Sequence, residues 1–81
     1  MRVRVRFFAA LREAVGRDSL ELDLAEGSTP EDVWTRLAAD HPQLAARRQS
    51  LAAAVNRRYA PFATPLDEGD EIVFIPPVSG G

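Results

Sequence analysis

Cysteine and lysine are both absent from this 81-residue chain. Without cysteine there is no disulfide framework, no thiolate nucleophile and no thiolate metal site. Without lysine, all ten basic residues are arginine, and no side-chain amine is available for Schiff-base or isopeptide chemistry. Histidine occurs once, as His41 beside Pro42, where a solvated or structural role is expected. A metal site needs more nitrogen or sulfur ligands than that, so none is expected. The acids Asp67, Glu68, Asp70 and Glu71 read as a solvated turn rather than a ring of cation ligands. Gly16, Gly27 and Gly69 stand alone, and no phosphate-binding glycine loop is formed. No apolar run approaches the roughly 20 residues of a membrane span. The opening Met1-Arg2-Val3-Arg4-Val5-Arg6 alternates instead of forming the apolar block of a secretory signal, so the expected compartment is the cytoplasm. The formal net charge of −2 argues against nucleic-acid binding. The pairs Arg47-Arg48 and Arg57-Arg58 read as solvated surface.

What is present is a set of short, well-punctuated elements. Residues 3–7 alternate apolar and arginine, the period of a half-buried strand. Val3, Val5 and Phe7 then face the core, while Arg2, Arg4, Arg6 and Phe8 face out. Residues 9–15 favour helix, and Gly16 suits its end. Leu20, Leu22 and Leu24 alternate with Glu21 and Asp23 as a second strand, returning antiparallel to the first. Ala25-Glu26-Gly27 reads as a turn. Thr29 suits an N-cap, Pro30 the first helical position, and Glu31 and Asp32 the positive end of the helix dipole. Val33, Trp34, Leu37 and Ala38 form an apolar stripe with Trp34 as core anchor, and His41-Pro42 ends the helix. Residues 44–48 suggest a short helical turn. Residues 51–55 read as a strand ended by Asn56-Arg57-Arg58, residues 59–66 as irregular, and Asp67-Glu68-Gly69-Asp70 as a turn. Residues 71–75 form the last strand, stopped by Pro76 and Pro77.

The expected class is α+β: a mixed sheet of four to five strands packed on one main helix. First and last strands lying parallel at its centre would make a β-grasp, although this pattern alone does not exclude other α+β folds. Residues 1–75 form the expected domain and residues 76–81 an extended tail. No side-chain constellation supports an independent active site.

The tail is where chemistry remains. Pro76, Pro77, Val78, Ser79, Gly80 and Gly81 reach about 20 Å when extended at roughly 3.3 Å per residue, far enough to enter another protein's active site. Gly80 and Gly81 lack Cβ atoms and pass a narrow channel, while the prolines keep the base extended. The Gly81 main-chain carboxylate is ionised near neutrality and a poor acylating group. Adenylation by a separate ATP-using enzyme would activate it. A sulfur donor would then yield a thiocarboxylate, and an amine an amide.

The chain resembles the MoaD-type ubiquitin-like sulfur carriers, the small-subunit family of molybdopterin synthase. The resemblance rests on Phe7-Phe8-Ala9 with Leu11-Arg12-Glu13 and Gly16. It continues through Ala54-Val55-Asn56, Pro65-Leu66 and Asp67-Glu68-Gly69-Asp70-Glu71 to Phe74-Ile75-Pro76-Pro77-Val78-Ser79-Gly80-Gly81. It implies a β-grasp fold with no bound cofactor. It further implies adenylation of Gly81 by a ubiquitin-activator-like enzyme that uses ATP, and sulfur delivery from a persulfide donor. Insertion of the tail into the large synthase subunit follows, with donation of sulfur to cyclic pyranopterin monophosphate. The implied assembly has two small and two large subunits. Sulfur carriers for thiamine thiazole share fold and tail but are usually shorter, and Pro76-Pro77-Val78 fits them less well. A ubiquitin-like modifier of target lysines and an interaction module with an inert tail are further alternatives.

Docking requires a surface. With Glu71 facing solvent, period-two alternation puts Val73 and Ile75 on the outer face of the sheet. Phe8, and Tyr59 with it, would complete an apolar patch for a partner, which Arg4 and Arg6 would flank, either pairing with a partner's acids or solubilising the sheet.

Overall fold

The computed structural model describes residues 1–76. Strand β1, Arg2–Arg6, has the burial alternation read from its sequence, with Val3 and Val5 inside. Phe8 caps helix α1, Ala9–Val15, in an extended conformation. Gly16 ends that helix at φ 82°, with its N–H donating to the Arg12 carbonyl at 2.8 Å. A Cβ at that positive φ would crowd the backbone, which is why glycine serves there. Strand β2, Ser19–Asp23, returns antiparallel to β1.

Helix α2, Pro30–Asp40, opens with a complete capping box. The Thr29 hydroxyl accepts from the Asp32 N–H, and the Asp32 carboxylate accepts from the Thr29 N–H at 2.9 Å. The sequence marks Thr29, while Asp32 does more than complement the dipole. Val33, Trp34 and Leu37 face the core. The helix stops at His41, whose N–H donates to the Leu37 carbonyl at 2.8 Å. A 3-10 run over Pro42–Ser50 follows, longer than the expected turn. Arg48 within it is not the solvated cation the sequence suggested. Its guanidinium bonds the Glu31 carboxylate through Nε at 3.0 and 3.1 Å and lies 3.4 Å from the centroid of the Phe62 ring. Neighbouring Arg47 is exposed.

Strands β3, Ala52–Val55, and β4, Arg58–Ala60, form a hairpin. Its two-residue loop, Asn56-Arg57, has φ 50° and 71°, the double left-handed geometry that matches strand twist. Residues 59–66 are therefore not irregular throughout, since Tyr59 and Ala60 are paired. Asn56 predicts the turn, but Arg57 is not a usual left-handed residue and conceals the hairpin. Strand β5, Glu71–Ile75, completes a five-stranded sheet of order β2-β1-β5-β3-β4, with β1 and β5 parallel and both other β1 and β5 pairings antiparallel. One face packs on α2 around Phe74, which meets Trp34 edge-on at 5.0 Å and Phe62 stacked at 5.8 Å. The β-grasp expectation is met, with the longest helix on one face and the other face open. No helix among the described residues is long and apolar enough to cross a membrane.

Candidate functional site

The open face of the sheet is set by register. Arg4 pairs across from Glu21 on β2 and from Glu71 on β5, and Arg6 across from Ser19 and Val73. On the other side of β5, Val73 lies opposite Ala54 and Ile75 opposite Ala52, and Ala54 in turn opposite Tyr59. Since Ile72 and Phe74 are fully buried on the helix side, these partners all stand on the outer face. The face divides along the strands into a charged half and an apolar half.

The charged half neutralises itself. Arg2 Nε lies 3.2 Å from an Asp23 oxygen and Arg4 3.9 Å from a Glu21 oxygen. The hydrogen bond from Arg2, reinforced by its charge, holds the Asp23 carboxyl below the usual carboxylate range. The turn before β5 is bound to this half: the Arg2 N–H donates to Glu68 Oε1 at 2.9 Å and the Gly69 N–H to the Arg2 carbonyl at 2.8 Å. Asn56 braces the same turn, donating from its amide to Asp70 Oδ1 at 2.8 Å and accepting from the Glu71 N–H at 3.0 Å. Asp70 and Glu68 are thus occupied by structure. No group of three or more His, Cys, Asp or Glu that could hold a metal exists among the described residues.

The apolar half surrounds the end of β5. Phe8 and Tyr59 are the large hydrophobic side chains left exposed among the described residues, at 49% and 76%. They line one shallow concavity of about 320 Å³ with Val73, Ile75 and Ala54. All four residues expected in a patch, Phe8, Tyr59, Val73 and Ile75, are brought together. Arg6 and Arg57 lie on the same concavity, together with Glu71. Arg57 was not expected there; the left-handed loop carries it to this face, and the Ala54–Tyr59 register is the feature that locates it. Arg4 belongs to the charged half instead. Pro76, half-buried, follows Ile75, which lines this concavity. Pro77, Val78, Ser79, Gly80 and Gly81 lie outside the described residues. His41 sits at the far end of α2 and takes no part.

The model of the ThiS family matches residues 5–81. The molybdopterin synthase sulfur carrier subunit of Escherichia coli K12 is 43% identical over 81 residues, covering 98% of this chain and 99% of that one. Among solved structures, small archaeal modifier protein 1 of Methanosarcina acetivorans superposes with a TM-score of 0.81 at 31% identity, covering 99% of this chain and 96% of that one. A complex of subunits 1 and 2 of the molybdopterin-converting factor from Helicobacter pylori contains a chain similar at a TM-score of 0.68 and 26% identity, with both chains covered in full.

Proposed function

From the premise that this chain belongs to the ThiS family, we propose that it is the sulfur carrier subunit of a molybdopterin synthase. The observation that carries this reading is the full-length likeness to the Escherichia coli carrier subunit, which extends through the tail to Gly81 in the family match. Residues 1–75 act as the docking domain and residues 76–81 as the arm. The chemistry assigned to the arm is what membership of the family implies, and the composition agrees with it. With no cysteine, sulfur has no side chain to ride on, and the acyl end of Gly81 takes that role. Its carboxylate oxygen attacks the α-phosphorus of ATP held by an adenylating enzyme, releasing pyrophosphate. The outer sulfur of a persulfide donor attacks the acyl carbon and displaces AMP, leaving an acyl disulfide, and a second thiol of the donor then attacks the donor's own sulfur, closing a disulfide there and releasing the thiocarboxylate on Gly81. The arm, Pro76, Pro77, Val78, Ser79 and Gly80, then carries that sulfur into the large subunit and to cyclic pyranopterin monophosphate, within a heterotetramer of the cytoplasm. The large subunit supplies the pocket and its side chains. Phe8, Tyr59, Val73 and Ile75 supply the apolar seat.

The test is the intact mass of the full chain after incubation with the cognate activating enzyme, ATP and a sulfur donor. Exchange of one carboxyl oxygen for sulfur on the C-terminal peptide is expected. An unchanged mass with active partners overturns the reading. A second reading, protein modification, is favoured by the likeness to the archaeal modifier. It predicts transfer of the whole chain to a target lysine, and the absence of lysine here rules out chains linked through its own lysines.

A further inference from the structure

The three outward arginines of β1 differ in what stands opposite them. Arg2 meets Asp23 and Arg4 meets Glu21, each within ion-pair distance. Arg6 meets Ser19, which carries no charge. Arg57, in the β3–β4 loop, likewise has no carboxylate within 4 Å among the described residues, and neither does Arg6. Both are exposed, and both line the apolar concavity at the end of β5. Glu71, the carboxylate lining it, pairs with neither guanidinium and spends its backbone N–H on Asn56. The guanidinium of Arg6 rests 5.6 Å from the centroid of the Phe8 ring, a contact that holds its charge at the rim. A chain with a net charge of −2 therefore presents an apolar centre at the end of β5, bordered by two cations that have no carboxylate partner among the described residues.

We propose that the surface of the large subunit that seats on this face is apolar at its centre and carries carboxylates opposite Arg6 and Arg57, so that these two arginines steer and select the partner. The proposal deepens the synthase-subunit reading and rests on it. Charge complementarity names the occupant's chemistry: rim charges govern encounter rate and exclude wrong partners more than they add affinity. It also disfavours a second copy of this chain, since a two-fold contact through this face would bring the same cations of both copies into one interface.

The experiment measures association of the full-length chain with its cognate large subunit at low and high salt. It compares the native chain with Arg6→Gln, Arg57→Gln, the double variant and Arg47→Gln. Arg47 is exposed on the 3-10 run and outside this face. Each single substitution is expected to slow association about two- to fivefold at low salt. The loss should vanish near 1 M salt, where the screening length is about 3 Å, and Arg47→Gln should behave as the native chain. Arg57 lies in a loop, so it tests the idea even if Arg6→Gln perturbs the sheet. Native association rates in the double variant overturn the proposal, as does a native salt response there. So does a defect confined to the activating enzyme, or self-association of the chain through this face. In each of those cases the native chain still binds the large subunit and still transfers sulfur, and the synthase-subunit reading stands. Failure of the native chain to bind at all sinks that reading itself.

Discussion

Glu31 shows how much one side chain can join. It sits in the first turn of α2, its N–H donates to the Phe62 carbonyl at 3.1 Å, and its carboxylate takes Arg48 from the 3-10 run. The hydrogen bond from Arg48 is the main reason its carboxyl is held below the usual carboxylate range. A depressed folded-state pKa means that the stabilisation is complete above the ordinary glutamate value of about 4.3. It is lost as the pH falls through the lower folded-state value. Replacing Glu31 with Gln should therefore reduce the thermal midpoint near neutrality, and the gap to the native protein should narrow towards pH 3. Because the pair is partly open to water, the effect belongs at the low end of charged hydrogen bonds, of order 1 kcal/mol or less. Thermal melts across pH check it, and a gap that widens in acid contradicts it. The sequence announced Glu31 as a dipole partner but gave no sign of Arg48, because 17 positions of chain separate them and only folding brings them together.

At the scale of elements, punctuation in the sequence was legible wherever one residue type has a single physical use. Gly16, Thr29, Pro30 and Pro42 each mark a boundary that the structure keeps. The Thr29 cap lends itself to measurement. Thr29→Ala removes the hydroxyl that accepts from the Asp32 N–H and one half of the capping box, and should cost about 1 kcal/mol. Denaturant unfolding would read this as a lower midpoint with an unchanged slope. Asp32→Ala in the same helix should cost a comparable amount, and a neutral result for both would show that the box contributes nothing. Strand β4 was not legible. Three residues are too few for a periodic signal, and its existence depends on pairing with β3. Arg57 in a left-handed conformation costs backbone energy that local propensity predicts against. The pairing and the Asn56 bonds to Asp70 and Glu71 offset it.

For the molecule as a whole, the proposed division of labour between residues 1–75 and the terminal Gly81 sets the expected consequence of truncation. Among the described residues, every buried residue of the core precedes Ile75. Deleting Gly81 should leave the unfolding midpoint of the domain unchanged while abolishing sulfur transfer in a reconstituted synthase assay. Retained transfer would remove the acyl terminus from the mechanism, and loss of the fold would show that the tail is part of the domain. Under the proposed function, the same division is the reason to expect the partner on the apolar half of the open face, around the end of β5.

The sequence by itself determined which side-chain chemistry this chain lacks, because the absence of cysteine and lysine needs no structure to interpret. It also determined which way the strand residues point, because alternation is local and strict: Val3, Val5, Ile72 and Phe74 went inward and Val73 and Ile75 outward. Only the tertiary structure decided which outward arginines are neutralised. That depends on strand register, which puts Asp23 and Glu21 across from Arg2 and Arg4 but Ser19 across from Arg6. It likewise decided that Arg57 joins Arg6 at one concavity, since a cross-strand neighbour is chosen by the fold of distant segments and leaves no periodic trace in the chain.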